Sequence, residues 1–408
     1  MQYLGSDTKY IIMRKTSIVL SGIIGIVILL VACSKSDTPA VTQTVYTAIA
    51  NAFGTQIDPN NLANYAAQAR PGYIVKDNTG NNPITNAKAT LGRVLFYDKK
   101  LSIDNTISCA SCHKQAFAFS DTALISVGVA GGLTDRHSMR LVNERFGVEA
   151  KFFWDERAAS LESQTTQPIA DHKEMGFSGQ AGRANIAALL TKLQSIDYYN
   201  ELFKFVYGDV TVTEPRLQEC LAQFVRSIQS FDSKYDVGRA QVNNDRQNFP
   251  NFTAQENVGK DLFLAPPVFD ANSNRIGGGL GCNGCHNAPE FDIDPNTRNN
   301  GVIALAAGVG QEVSITRAPT LRDLVNNKGE LNSPLMHTGG IRDLATAVSH
   351  YGGFINDNRN LDPRLKPNGV QVQRLNLQPA EIAAVVAFLK TLAGTNVYVD
   401  KKWSSPFN

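Results

Sequence analysis

The chain is 408 residues long, with a hydrophobic fraction of 43%, a charged fraction of 19% and a formal net charge of +2. This is a globular composition, which excludes a largely disordered chain, and the length suffices for two domains of ordinary size. The small net charge gives no support to nucleic-acid binding or to a strongly acidic partner.

At the N-terminus, Arg14 and Lys15 precede an apolar run from Ile18 to Ala32, a charged segment and hydrophobic stretch of signal-peptide proportions, short for a membrane span. Leu30-Val31-Ala32-Cys33 matches a bacterial lipobox, so Cys33 is expected to carry lipid and become the mature N-terminus. Residues 1–33 therefore read as a lipoprotein signal peptide, with Met13 an alternative start and an uncleaved anchor the competing reading. Ser34 is not the aspartate that retains lipoproteins at the inner membrane, which favours an outer-membrane anchor. Residues 34–80 read as a tether, rich in Ser, Thr, Asn and Ala to about Asn61, followed by a first helix near Asn61–Arg70.

Next comes Cys109-Ala-Ser-Cys112-His113, and far downstream Cys282-Asn-Gly-Cys285-His286. In a Cys-x-x-Cys-His segment two thiols can bond the vinyl groups of one haem while the histidine ligates its iron. A pair of zinc or disulfide clips is the competing reading. Two thiols and one imidazole, however, are one ligand short of a closed structural zinc site. Between the motifs, Asn185 to about Leu202 has helical periodicity. Thr213 is a plausible N-cap for a helix to about Phe231, with Pro215 tolerated in its first turn. In that helix Cys220 shares an apolar face with Leu217, Leu221, Phe224 and Ile228 and reads as a small buried hydrophobe.

Beyond the second motif, Leu344, Val348 and Tyr351 fall at i, i+4 and i+7 on one helical face, with His350 rotated about 100° away. Pro379 opens a helix bearing Ile382, Val385, Val386 and Leu389, stopped by Gly394. Trp403 lies in a polar tail and receives no role. Of six cysteines, one is assigned to lipid, four to haem, and Cys220 to the core. The fold class expected is mainly α, as two cytochrome c-like domains each carrying one covalently bound haem c.

Several ordered segments resemble one family. Leu91-Gly-Arg-Val-Leu-Phe-Tyr97, Leu101-Ser102 and Ile107 to His113 resemble the approach to the first haem of the bacterial dihaem cytochrome c peroxidase and MauG superfamily. Phe153-Trp154-Asp155-Glu156-Arg157, Leu161 to Gln164, Pro168-Ile169 and Glu174-Met175 look like its inter-haem and active-site block. Ala318 to Arg322, His337-Thr-Gly339 and His350-Tyr351-Gly352 match its second-domain signature. The resemblance runs from about Ala87 to Leu392. It implies a peroxidatic haem domain over 81–245, an electron-transfer haem domain over 246–396, and a C-terminal tail over 397–408.

The resemblance also implies roles. His113 holds the peroxide-reacting haem, Glu174 is the acid–base carboxylate, Gln164 its polar partner, and Trp154 lies between the haems. A carboxyl group in an apolar pocket has a raised proton affinity, which suits a proton shuttle. No histidine follows the first motif where many relatives place one that closes the resting iron, so a five-coordinate first haem is expected. His137 falls where relatives have an asparagine that helps hold calcium. A histidine is a poor calcium ligand, which puts that ion in doubt; iron ligation by His137 is the second reading. For the second iron, relatives place methionine or, in MauG, tyrosine at the position of Tyr351. Alignment and periodicity agree on Tyr351 as sixth ligand, with His350 and Met336 as alternatives. A phenolate is a hard donor that stabilises ferric iron. His337 reads as a supporting residue near the haems and His172 as a loop histidine.

Peroxide reduction with electrons from a small periplasmic donor, such as a monohaem cytochrome c or a cupredoxin, is the function expected. A MauG-like oxidase that uses peroxide to modify a protein or other substrate is the alternative. A dihaem electron carrier is the non-enzyme reading, which Glu174 and Gln164 oppose.

Overall fold

Short polar caps open the helices. The computed structural model describes residues 44–148, 151–293 and 295–407, so the leader and Cys33 lie outside the described residues. Helix α1 spans Thr47–Phe53 and α2 spans Asn86–Tyr97. The Thr85 hydroxyl caps α2 by accepting from Lys88 N–H. The short helix α3 is Cys109–Cys112. After it come α4 (Leu161–Thr165), α5 (Gln167–Ala170), α6 (Ile186–Gln194), α7 (Asp197–Tyr207) and α8 (Glu214–Ser227). The remaining helices are α9 (Lys234–Arg239), α10 (Ala254–Leu264), α11 (Leu344–Gly353), α12 (Pro379–Lys390) and α13 (Asn396–Val399). Strands are short antiparallel pairs, β1 (Pro267–Phe269) with β2 (Arg275–Gly278), and β3 (His286–Asn287) with β4 (Asp292–Ile293).

The residues from Thr44 onward pack as one unit, whose buried apolar side chains gather into two large clusters and one small one. The first cluster draws on residues 49 to 228 together with Val397 and Trp403, and the second on residues 235 to 392. Each is centred on a closely crossed helix pair. On Gly92 of α2 a Cβ would lie 1.9 Å from the carbonyl oxygen of Cys220 on α8, and on Gly259 of α10 it would lie 1.9 Å from that of Ala384 on α12. Only glycine permits such approach. In both halves this pair stands beside a Cys-x-x-Cys-His segment.

Several sequence expectations are corrected. The stretch Asn61–Arg70 is turn, not helix: the Asn86 side chain accepts from the N–H groups of Tyr65 and Ala66, and Asn64 accepts from Ala67 N–H. The first described helix is α1, and its Ile49 and Phe53 are fully buried, so the latter part of the expected tether belongs to the body. The helix expected over Asn185 to Leu202 breaks after Gln194, where the Ser195 hydroxyl turns back onto the Lys192 carbonyl. The tail also packs: Val397 and Trp403 join the first cluster, and Tyr97 donates to the Trp403 carbonyl at 2.6 Å. Helix α8 opens at Thr213 as expected, and Cys220 is buried with its thiol 3.3 Å from the Tyr207 hydroxyl. Burial pushes that thiol up to about 12, so it is unreactive.

Candidate active site

Ser108 and Ser111 form the capping box that opens α3, placing Cys109 and Cys112 one turn apart. His113 follows, and its Nδ1 lies 3.1 Å from the Phe119 carbonyl. The chain there passes through left-handed backbone at Ala118 and Phe119, which folds the loop back onto the imidazole. A bond to a carbonyl makes Nδ1 the protonated nitrogen and leaves Nε2 with the lone pair that ligates metal.

A cavity of about 450 Å³ opens beside this motif, within the usual range for cofactor and ligand sites. Cys109, Cys112, His113, Trp154, Gln164 and Glu174 all line it. The first set of expected site residues is therefore brought together from four chain segments. Phe96, Phe152, Phe153, Pro168, Met175 and Leu221 supply apolar wall.

The main chain of Glu174 is anchored, with its N–H on Asp171 Oδ1 at 3.0 Å and its carbonyl receiving Val129 N–H at 3.0 Å. Its carboxyl has no hydrogen-bond partner among the described residues, and burial, aided by the Asp171 charge, raises its pKa to about 7. The Arg157 guanidinium pulls the other way while stacking on the Phe153 ring at 3.5 Å and bonding Asp155 Oδ1 at 2.8 Å. Arg157 and Asp171 were given no role from sequence. Arg157 lies three residues after Trp154, and its chemistry follows from its place beside Glu174.

Trp154 links the two halves. Its Nε1 donates to the His137 carbonyl at 2.7 Å, and its own carbonyl accepts from Thr316 and Arg317 N–H. The His337 ring stands edge-on to it at 6.3 Å, with Nε2 2.9 Å from the Ala304 carbonyl. His137 lines the cavity, its Nδ1 held by the Ala123 and Leu124 carbonyls and its Nε2 buried without a partner. His172 bonds Ser178 and does not line the cavity.

This junction does not suit calcium, which takes six to eight oxygens and several carboxylates. His137 is an imidazole kept neutral by burial. The carboxylates nearby are already engaged by arginine: Arg136 bonds Asp155 and Glu312 at 2.7 and 2.8 Å, and Arg317 bonds Glu144 at 2.6 Å.

At the second motif, Gly281 in left-handed backbone turns the chain into Cys282. His286 Nδ1 is buried without a bond of ordinary geometry, although the Pro319 carbonyl lies in range to interact with the ring. Burial lowers the His286 pKa to about 4 and also lowers that of His113, so both imidazoles are neutral, as metal ligation requires. Tyr351 stands close enough to Cys282 and Cys285 for thiolates there to oppose its ionisation. It packs with Leu344 and Val348 of α11 in the second cluster.

The residues fit haem better than zinc. Among the described residues no three Cys, His, Asp or Glu side chains converge as metal ligands, and none of the described cysteines forms a disulfide. Burial pushes the thiols of Cys109, Cys112 and Cys282 to about 12, 11 and 12, so with nothing bound they stay protonated. Cys109, His113, Cys282, His286 and Tyr351 are deeply enclosed yet keep accessible surface. They face internal space, as groups around a buried cofactor do.

A family model described as di-haem cytochrome c peroxidase matches residues 86–244. A methylamine utilization protein MauG from Methylophilus methylotrophus is 28% identical, over 77% of this chain and 84% of its own length. A cytochrome c551 peroxidase from Nitrosomonas europaea is also 28% identical, over 75% of this chain and 80% of its own length. Over residues 86–244 the chain is similar to the di-haem cytochrome c peroxidase family, and the relatives it resembles include both MauG proteins and cytochrome c peroxidases. Among solved structures, a MauG-like protein associated with microbial copper homeostasis shares 25% identity at a TM-score of 0.62, covering 83% of this chain and 98% of that one. The diheme peroxidase BthA from Burkholderia thailandensis shares the fold at a TM-score of 0.55, with 21% identity over 84% of this chain and 90% of its own. That similarity supports an oxidoreductase acting on peroxide and implies two haem c cofactors.

Proposed function

We propose that the protein reduces hydrogen peroxide to water, taking electrons one at a time from a small periplasmic donor such as a monohaem cytochrome c or a cupredoxin. The observation that carries this reading is the unpartnered Glu174 carboxyl, its pKa raised to about 7, in one apolar-walled cavity with Cys109, Cys112 and His113. On this reading Cys109 and Cys112 hold one haem c with His113 on its iron, and Cys282 and Cys285 hold the other with His286. Each haem supplies an iron that exchanges single electrons, the first also binding peroxide.

The chain's own residues supply the proton chemistry. The Glu174 carboxylate takes the proton from the nearer peroxide oxygen and returns it to the farther one as the O–O bond breaks, so water and not hydroxide departs. Gln164 offers an amide to orient the peroxide. Phe153, Pro168 and Met175 limit bulk water around the carboxyl. Two electrons and two protons per peroxide give two waters. Trp154, whose carbonyl accepts from Thr316 and Arg317 N–H and whose ring packs edge-on to His337, shortens the path between the halves.

A second reading, a MauG-like oxidase that oxidises a protein or other substrate at a distance, is favoured by Tyr351. If Tyr351 held the second iron, its phenolate would stabilise the ferric state and would make that haem a poor acceptor from an ordinary cytochrome. Steady-state peroxide turnover with reduced cytochrome c separates the two. Turnover by the fully oxidised enzyme, without prior half-reduction, is expected if no side chain besides His113 would ligate the first iron. Peroxide consumption that no small donor sustains contradicts the cytochrome c peroxidase reading.

The lipobox supports a further proposal, that the mature chain starts at Cys33 and is lipid-anchored in the cell envelope. Its intact mass is expected to begin at residue 33 and include an acyl-glyceryl group. A mature chain that keeps the leader contradicts the lipid anchor. Among the described residues no helix is long and apolar enough to cross a membrane.

A further inference from the structure

One residue near the second motif touches every group eligible as the second iron's sixth ligand. Asn300 Nδ2 donates to the Tyr351 hydroxyl at 3.2 Å and lies 3.5 Å from Met336 Sδ. The main-chain carbonyl of the same residue lies 2.9 Å from His350 Nε2. The Asn300 Oδ1 accepts Val302 N–H at 3.1 Å, which fixes the orientation of the amide and points its N–H groups at the tyrosine and the thioether. Met336 itself sits in left-handed backbone, with φ at 66°, a conformation a non-glycine residue keeps only when its surroundings hold it.

These contacts sort the three candidates. His350 is committed to a carbonyl. Met336 has a weak acceptor atom at the edge of hydrogen-bond reach. Tyr351 accepts a hydrogen bond at 3.2 Å, no acceptor for its own proton is found among the described residues, and it lies near enough to Cys282 and Cys285 to feel their charge. Resting on the reading that Tyr351 ligates the second haem, we infer that Asn300 is the positioning residue that presents the tyrosine oxygen to that iron and sets its donor strength. An N–H donated to a ligating oxygen draws electron density from it. The oxygen then gives less to ferric iron, and the reduction potential stands higher than with a bare phenolate. Outer-shell partners of this kind typically alter metal-site properties 10- to 100-fold.

The test compares the holoprotein with Asn300→Leu, which keeps the approximate volume and removes the donor, by ferric electron-spin resonance and by redox titration of the second haem. The expected result is a changed second-haem signal and a reduction equilibrium shifted about tenfold toward ferric, or about 59 mV for a one-electron couple. An unchanged or raised potential overturns the proposal. If the leucine variant does not fold, Asn300→Asp preserves the outline and replaces the donor with a charged acceptor. It is expected to displace the tyrosine oxygen and give the signal of a different axial ligand; a wild-type signal overturns the proposal. Tyr351→Phe, measured alongside, separates the two failures. If it leaves the second-haem signal unchanged, the ligand reading itself falls. If it changes the signal while the Asn300 variants do not, only the role of Asn300 falls.

Discussion

Glu174→Gln is expected to slow the reaction with peroxide by about 10²–10⁴-fold, the usual worth of a positioned general acid–base. The substitution keeps size and polarity, so the cavity retains its shape while losing the group that carries the proton. The pH dependence provides a second, independent signature. Burial and the Asp171 charge raise the carboxyl to about 7, with Arg157 opposing. The proton-accepting form is therefore scarce below that value and dominant above it. Rapid mixing of the ferric enzyme with peroxide should show a rate that rises as pH passes through about 7 in the wild type and stays flat in the glutamine variant. A near wild-type rate for the variant would remove Glu174 from the mechanism.

Tyr351→Phe is expected to open or re-ligate the second iron. Phenylalanine preserves the packing against Leu344 and Val348 but has no oxygen to offer. Loss of a hard anionic donor destabilises the ferric state, so the second haem's potential rises. Met336, which shares the Asn300 amide with Tyr351, is the side chain nearest in chemistry to take its place. Electron-spin resonance of the ferric variant reads the change directly. An unaltered spectrum would transfer the role to Met336 or His350.

What sequence revealed and what it hid differ in physical kind. The two Cys-x-x-Cys-His segments are legible because thiol, thiol and imidazole must sit close along the chain to reach one macrocycle. The shared face of Leu344, Val348 and Tyr351 was legible because a helix repeats its face, and α11 keeps all three in the second cluster. Glu174, Gln164 and Trp154 were named from family grammar, since nothing local in their segments predicts that they meet Cys109 and His113 across one cavity. Asn300 carried no signal at all, because its neighbours arrive from residues 336, 350 and 351 through irregular loops. The C-terminal tail looked polar by composition, yet Trp403 is 2% exposed. Its anchoring depends on a long-range partner, the Tyr97 hydroxyl. The break between α6 and α7 was hidden for a different reason. Apolar periodicity runs through it, and a single serine hydroxyl ends the first helix.

The intact mass of the purified mature protein under denaturing conditions tests the central claim most directly, because thioether bonds survive unfolding and ligation alone does not. The account predicts two haem masses retained on the chain, falling to one when Cys109 and Cys112 are both replaced by alanine. A mass with no haem, or with metal held at the thiols and no macrocycle, would contradict it.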